Sequence, residues 1–464
     1  MLERKRTVCI YCSLACPFEV AADDGDPQGL EYDLAQPVTS GALCARGNMA
    51  FELLRLPGRV EEPRIEGKAV RWPEALSRLA EAIERQPKGA VGLVLGADAA
   101  AEEAALAGQF AARCLAGAPA TVGFLANEPA VLAEAGAAPE VSAVKLAELA
   151  KSNVVVAVGD LFSLCPVISR RVLDAKYGGR GNALVYLGPD AGLTARLASL
   201  KLVGPERRAA LALLRELGAA GKSLPADAAK ALAQFAKGDP GVGGSAAAAA
   251  KAVAGAEKVA VLAASADPVA VRLGKLIAAA LGGKGQFLAM TEAAGAADVL
   301  AAWRPETDLA GVCQAVKDGQ LRGLMALGLD VVSAAGELGA AVAKLPLLVA
   351  GSSFNSPSVK AAAFVLPTLL WAEKSGTLAG ARREPAAAGV GLARGYGWIL
   401  SGLARELGAE LPSTPPAAAK ARAMSVEDAV RAAAGAAEGP KPGWTAREAS
   451  DPLTRAALGG VYVA

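Results

Sequence analysis

Short runs of apolar residues alternate along most of this chain with longer stretches whose apolar positions recur every three or four residues. The runs at 90–95, 153–158, 183–187, 258–263, 321–327 and 344–350 are apolar almost without interruption, the pattern of strands buried on both faces. Between them, 102–114, 142–149, 206–217 and 268–281 read as amphipathic or Ala-rich helices. Strands separated by helices predict an α/β protein with mostly parallel, Rossmann-like sheets covered on both faces. Trp72-Pro73 opens a further helix with Leu76, Leu79 and Ile83 on one side; proline is at home in a first turn. The first 58 residues break the pattern. There, Phe18-Glu19-Val20 followed by Asp23-Asp24-Gly25 reads at most as a short strand and a turn. The 412–441 region is rich in Pro, Ala and Lys and reads as a loose tail with one helix near 426–434.

Several strands end in glycine: Gly96, Gly159, Gly188, Gly328 and Gly351. Ligands of open α/β sheets lie beyond the carboxyl ends of the strands, where glycine lets backbone approach them; ordinary turn glycines give the same pattern. Gly218-Ala219-Ala220-Gly221-Lys222-Ser223 hints at a phosphate loop but fails, because Glu216 stands where the first glycine belongs and a helix precedes it.

At 464 residues the chain exceeds one core, and 53% hydrophobic with 20% charged residues makes it globular. A net charge of +2 and 4% aromatic residues give no case for nucleic-acid binding. The sequence has no histidine, which removes His general bases, His metal ligands and Ser-His-Asp triads together. No signal peptide or membrane span is evident, since Lys251 and Glu257 break the longest Ala-rich stretches; a cytoplasmic location is expected.

Cysteines are the candidate chemistry. Cys9, Cys12, Cys16 and Cys44 follow C-x2-C-x3-C-x27-C, with Pro17 after the third. Three thiolates on one loop and a fourth returning from a distance suit a 4Fe–4S cluster, and C-P recurs in ferredoxin-type loops. Zinc is the alternative, although structural zinc sites usually add a second close pair or histidines. Disulfides do not fit a chain without an export signal.

Beyond the cysteines, an ordered series of segments resembles the molybdopterin oxidoreductase superfamily. Leu43-Cys44-Ala45-Arg46-Gly47 runs on through Phe51-Glu52-Leu53-Leu54 and Pro57-Gly58-Arg59-Val60. Arg71-Trp72-Pro73-Glu74-Ala75-Leu76 resembles the family's helix start. Residues 154–160, then Cys165-Pro166-Val167 and Arg170-Arg171, resemble its strand, loop and helix near the pterin. Leu187-Gly188-Pro189-Asp190 with Thr194-Ala195 resembles a further turn. Phe364-Val365-Leu366-Pro367, Glu373-Lys374-Ser375-Gly376-Thr377 and Arg382-Arg383 match the family's later signature, and Gly397-Trp398-Ile399-Leu400 continues it. The series covers about residues 5 to 408.

The resemblance implies a cluster domain at 1–58, a first α/β domain from 59–125 and 318–410, a second at 126–317, and a tail at 411–464. It also implies three departures. The dinucleotide-closing barrel is expected to be missing from this chain, as in formylmethanofuran dehydrogenase, where a separate chain supplies it. The metal-ligating Cys, Sec or Ser falls near Ala126, within Phe124-Leu125-Ala126-Asn127-Glu128-Pro129, and a methyl group binds no molybdenum or tungsten. Glu128 is a poor substitute for a sulfur donor, and the histidine beside that ligand in formate dehydrogenases is absent.

Arg46 stands where the family places Lys or Arg between cluster and pterin; without a pterin it would buffer the cluster's charge, a solvated surface arginine being the alternative. Cys165 replaces a frequent family histidine, whereas Cys114 and Cys313 read as small buried hydrophobes on apolar helix faces. Arg382 and Arg383 could grip a phosphate or carboxylate, or form ion pairs with Glu373 or Glu384. The sequence therefore reads as an iron–sulfur electron-transfer subunit with one 4Fe–4S cluster, no molybdopterin, no working Mo/W site and no catalytic residue. Its expected partners are other iron–sulfur or flavin subunits in a hetero-oligomer. The alternatives are a Mo/W-pterin catalytic chain with its barrel supplied in trans, and a structural scaffold with an empty or zinc-filled loop.

Overall fold

The computed structural model describes residues 2–124, 127–136, 141–236, 238, 241–412 and 423–435. Two α/β sheets, a three-stranded antiparallel sheet and a two-stranded hairpin of Gly376–Leu378 and Ala381–Arg383 build the described fold. One sheet has seven strands in the order Lys68–Ala69, Arg64–Ile65, Phe364–Pro367, Leu347–Ser352, Gly323–Leu327, Val91–Gly96 and Ala120–Gly123. Its last five are parallel and its first two return antiparallel. The other has six parallel strands: Leu200–Val203, Ala183–Gly188, Val154–Val158, Val259–Ala263, Gly285–Ala289 and Ser142–Ala143.

Apolar runs become central strands because successive side chains point to opposite faces and both faces are covered. Val154, Val156 and Val158 enter one core with the helices Glu206–Ala219 and Pro268–Ala280. Val155 and Ala157 face the other way, into a core shared with Val8, Cys9, Tyr11, Cys12, Cys16, Phe18 and Val20. The N-terminal lobe thus has no separate interior; the second sheet's outer face completes it.

That lobe is a three-stranded antiparallel sheet of Glu3–Val8, Pro17–Asp23 and Asp26–Tyr32, more than the one short strand expected. Its first strand escaped the pattern because Glu3, Arg4, Lys5 and Arg6 are exposed along an open edge, where charge guards against unwanted pairing. The expected turn is there, with Asp24 and Gly25 both at positive φ, as two-residue hairpins require.

Three further expectations change. Residues 142–149 are not an α-helix. Ser142–Ala143 pairs with Gln286–Phe287 as an edge strand, and a 3₁₀ turn follows at Leu146–Lys151. The helices Ala296–Ala302 and Leu309–Lys317, assigned by sequence to the second domain, bury Val299, Leu300, Val312 and Cys313 in the first sheet's core. The tail is docked over its described part: in helix Val426–Ala434, residues Val426, Ala429, Val430 and Ala433 form one buried stripe, with Val426, Val430 and Ala433 in the second core.

The strand order reverses between Val91–Gly96 and Gly323–Leu327 in one sheet, and between Val154–Val158 and Val259–Ala263 in the other. Both reversals are tight. A Cβ on Gly159 would lie 2.2 Å from the Ala264 carbonyl, and one on Gly328 2.1 Å from the Tyr396 hydroxyl. At the first reversal the chain fills its own crevice. The Tyr396 hydroxyl donates to both Asp98 oxygens at 2.9 and 3.0 Å, and Lys374 lies 3.9 Å from the Tyr396 ring centre while pairing with Glu103 at 2.7 Å. Among the described residues no helix is long and apolar enough to cross a membrane.

Candidate iron–sulfur site

The loop holding Cys9, Cys12 and Cys16 joins the first two strands of the lobe. The Cys9 N–H donates to the Cys16 carbonyl at 2.9 Å, extending the ladder to the mouth of the loop. Within it, Ala15 takes a left-handed conformation and its N–H reaches the Cys12 carbonyl at 3.0 Å. A reciprocal clasp ties the loop to the second sheet. The Ser13 N–H donates to the Thr291 carbonyl, and the Thr291 N–H to Ser13 Oγ, both at 2.9 Å. From the opposite side Trp371 Nε1 donates to the Val8 carbonyl at 2.8 Å.

Cys44 returns at the N-cap of helix Ala45–Glu52, where the helix dipole favours an anionic sulfur. The Asn48 side-chain amide donates to the carbonyls of Leu43 and Cys44, and Tyr32 Oη donates to Asn48 Oδ1 at 2.8 Å. Cys9, Cys12 and Cys16 are buried; Cys44 is partly exposed and forms the rim.

Burial pushes the Cys9 thiol well above its ordinary range, and Cys12, Cys44 and Cys16 push it further. For the same reasons, burial first and then Cys12 and Cys44, the Cys16 thiol is raised to about 12. Thiols that disfavour charge and repel one another as thiolates fit a site whose negative charge a bound iron cluster neutralises, with protons released on loading. Among the described residues no three His, Cys, Asp or Glu side chains are arranged to hold a single metal ion.

Arg46 is partly buried beside these sulfurs, not a solvated surface arginine. Its Nη2 donates to the carbonyls of Ser163 and Leu164 at 3.2 and 2.5 Å. Burial opposes its charge, but the sulfurs of Cys12, Cys44, Cys165 and Cys9 outweigh that and raise its pKa. Cys165 is enclosed in the same core, where Cys12 and burial push its thiol well above its ordinary range, a proximity that the sequence did not reveal. Cys313 is buried in the first core, where burial raises its thiol to about 11, and Cys114 is half-buried at a helix end.

The other candidates do not join the sulfurs. Arg382 is exposed and reaches Glu102 and Glu384 at 3.6 and 3.5 Å, not Glu373. Glu373 forks with Arg59, two bonds of 2.7 Å between buried side chains. Arg383 faces a cleft of about 600 Å³ beside the cluster loop, lined also by Arg6, Ser13, Ala15 and Asp298. Its Nε has no hydrogen-bond partner; burial, then Arg6, lowers the guanidinium's pKa. Ala126 lies outside the described residues. Its neighbours Asn127 and Glu128 line a crevice of about 70 Å³ with Asp160, Ser163 and Ser265.

Residues 2–55 match the model of the molybdopterin oxidoreductase Fe4S4 domain. The F420-dependent formate dehydrogenase subunit alpha of Methanocaldococcus jannaschii is 24% identical over 204 residues, which is 42% of this chain and 30% of that one. A nitrate reductase of Klebsiella oxytoca is 33% identical over 90 residues, 18% of this chain and 10% of its own. The chain thus spans less than a third of the length of these relatives. Acetylene hydratase from Pelobacter acetylenicus shares the fold, with a TM-score of 0.67 and 15% identity across 88% of this chain and 69% of that one. Taken together with the ordered signatures that run past the cluster lobe into both sheets, the domain match and these relatives support kinship with the molybdopterin oxidoreductase superfamily.

Proposed function

We propose that this chain is the iron–sulfur electron-transfer subunit of a larger redox complex, with Cys9, Cys12, Cys16 and Cys44 as the ligands of one 4Fe–4S cluster. The observation that carries this reading is that three buried thiols and a rim thiol lie near enough to act on one another and on Arg46. A cluster held there supplies one-electron transfer. The chain's own residues fix the thiols, exclude water from three of them, and place a cation beside the anionic sulfurs without bonding iron. Cys44, the least buried of the four, marks where a redox partner of the iron–sulfur or flavin type would come nearest.

The crevice beside Asn127 and Glu128 does not fit a pterin dinucleotide as it stands. Its volume of about 70 Å³ is far below the roughly 300–1,000 Å³ of small-molecule sites, which supports a subunit without a working Mo/W centre. The larger cleft of about 600 Å³ favours a second reading, a Mo/W-pterin catalytic chain completed by a partner. Metal analysis of the anaerobically purified complex separates them. About four irons per chain with no molybdenum or tungsten supports the first; stoichiometric Mo or W sinks it. Cys9→Ala should lose iron and the visible absorbance of the cluster, while Cys313→Ala keeps both. Full iron in Cys9→Ala would refute the ligand assignment.

A further inference from the structure

Charge is unevenly spread over the surface that adjoins Cys44. Residues 169–201 carry six arginines and lysines against two aspartates, a surplus of four on a chain whose whole net charge is +2. Both aspartates are already engaged: Asp174 pairs with Arg171 at 3.4 Å and Asp190 with Lys201 at 2.7 Å. Arg170, Arg180 and Arg196 are exposed and, among the described residues, have no carboxylate within ion-pair distance.

Large apolar groups stand among these cations. In helix Ser169–Tyr177, Val172 and Ala175 face the core, while Arg170 and Tyr177 share the opposite side. Tyr177 is 70% exposed. In the short helix Leu193–Leu197, Thr194 and Ala195 are buried, and Leu193, Arg196 and Leu197 are exposed together on the other side. Lys176 joins the two helices: its Nζ donates to the Leu197 carbonyl at 2.7 Å and lies 4.8 Å from the Tyr177 ring centre.

This face runs on to the cluster rim. Arg171 donates to the carbonyls of Pro37 and Val38 at 2.7 and 3.0 Å and to Ser40 Oγ at 2.8 Å, so the helix holds the segment that returns the chain to Cys44. On that segment Leu34 is 78% exposed, with Tyr32 exposed just before it. On the other side of the rim, Arg46 ties Cys44 to the carbonyls of Ser163 and Leu164, and Asp160, at the start of that helix, accepts from the N–H groups of Leu193 and Thr194.

We propose that this face is the docking surface for an acidic one-electron carrier protein, which brings its redox group to Cys44. The proposal rests on the reading of the chain as an electron-transfer subunit. Tyrosine and leucine supply a small apolar centre, and the arginines around them supply long-range steering. That combination suits a redox encounter, which is brief and buries little area. One electron crosses between a reduced and an oxidised group, with no bond made and no proton moved. A second copy of this chain fits worse, because in a two-fold pair the patch meets itself and like charges oppose.

The test titrates a dye-labelled acidic 2Fe–2S ferredoxin with the anaerobically purified full chain and reads fluorescence anisotropy from low to high salt. Wild type should bind, and added salt should weaken the binding. Arg170→Glu with Arg196→Glu should weaken it about ten-fold or more at low salt and flatten the salt dependence. Tyr177→Ala with Leu197→Ala should weaken it at every salt concentration. Lys88→Glu with Lys344→Glu makes the same change of charge on exposed residues ahead of the strands Val91–Gly96 and Leu347–Ser352, and should leave binding unchanged. No binding by wild type, or a loss at Arg170 and Arg196 no greater than at Lys88 and Lys344, overturns the docking surface. Binding of phosphatidylglycerol vesicles in place of ferredoxin assigns the face to a lipid surface and overturns it as well. If ferredoxin binds as described but dithionite reduces no cluster in the chain, the electron-transfer reading fails while the docking surface stands.

Discussion

Glu206 opens the helix Glu206–Ala219 at the carboxyl edge of the six-stranded sheet, among other acids. Burial raises its pKa first. Ser265 donates to it and lowers the pKa, while Asp267 and Asp160 raise it again, and the carboxyl ends near 7 against an ordinary 4.5. Asp267 is itself held by a two-bond fork from Arg207, so that cation is already engaged. Tyr186, packed nearby, has its hydroxyl pKa raised by burial and then by Glu206. Because the folded state holds the Glu206 proton more tightly than the unfolded chain does, the stability this proton confers is complete below pH 4.5. It is lost as pH rises through about 7. The gap between 4.5 and about 7, at about 1.4 kcal/mol per pH unit, comes to about 3 kcal/mol. Glu206→Gln keeps the shape and removes the titration. Urea unfolding of both proteins at a series of pH values from 4.5 to 8 should show wild type losing about 3 kcal/mol relative to the glutamine variant as pH rises. A difference between the two that stays flat across that window would refute the argument, whatever its size.

Two further outcomes follow from the packing. Arg59→Ala leaves Glu373 buried without its fork and should cost about 3–5 kcal/mol in thermal or denaturant unfolding, with Arg59→Lys recovering only part because an ammonium cannot bond both oxygens in one plane. A loss under about 1 kcal/mol would mean that the pair is solvated in solution. Gly328→Ala places a methyl group 2.1 Å from the Tyr396 hydroxyl at φ +83° and should lower the melting temperature by several degrees; adding Tyr396→Phe should return part of that loss, and full tolerance of the single change would contradict the geometry.

What the sequence made legible follows from how local each signal is. The central strands are continuous apolar runs between helices of clear period, so 183–187 and 258–263 agree with Ala183–Gly188 and Val259–Ala263 to within one residue. The cysteine quartet announced itself by spacing alone. The strand Gly285–Ala289 went unseen because it is short, opens on a glycine and lies close behind Gly282 and Gly283. The edge strand Glu3–Val8 was hidden by its own charges. The Arg59–Glu373 fork and the Ser13–Thr291 clasp leave no trace in periodicity, since each joins residues more than 250 positions apart through the fold.

Trp371 grips the carbonyl of Val8, the residue just before the first cysteine of the loop, across 363 positions of chain. Thr291 grips the same loop from the other side. Both grips exist only once most of the polypeptide has left the ribosome. The loop that carries Cys9, Cys12 and Cys16 is therefore clasped only late in synthesis, although its own residues are among the first made.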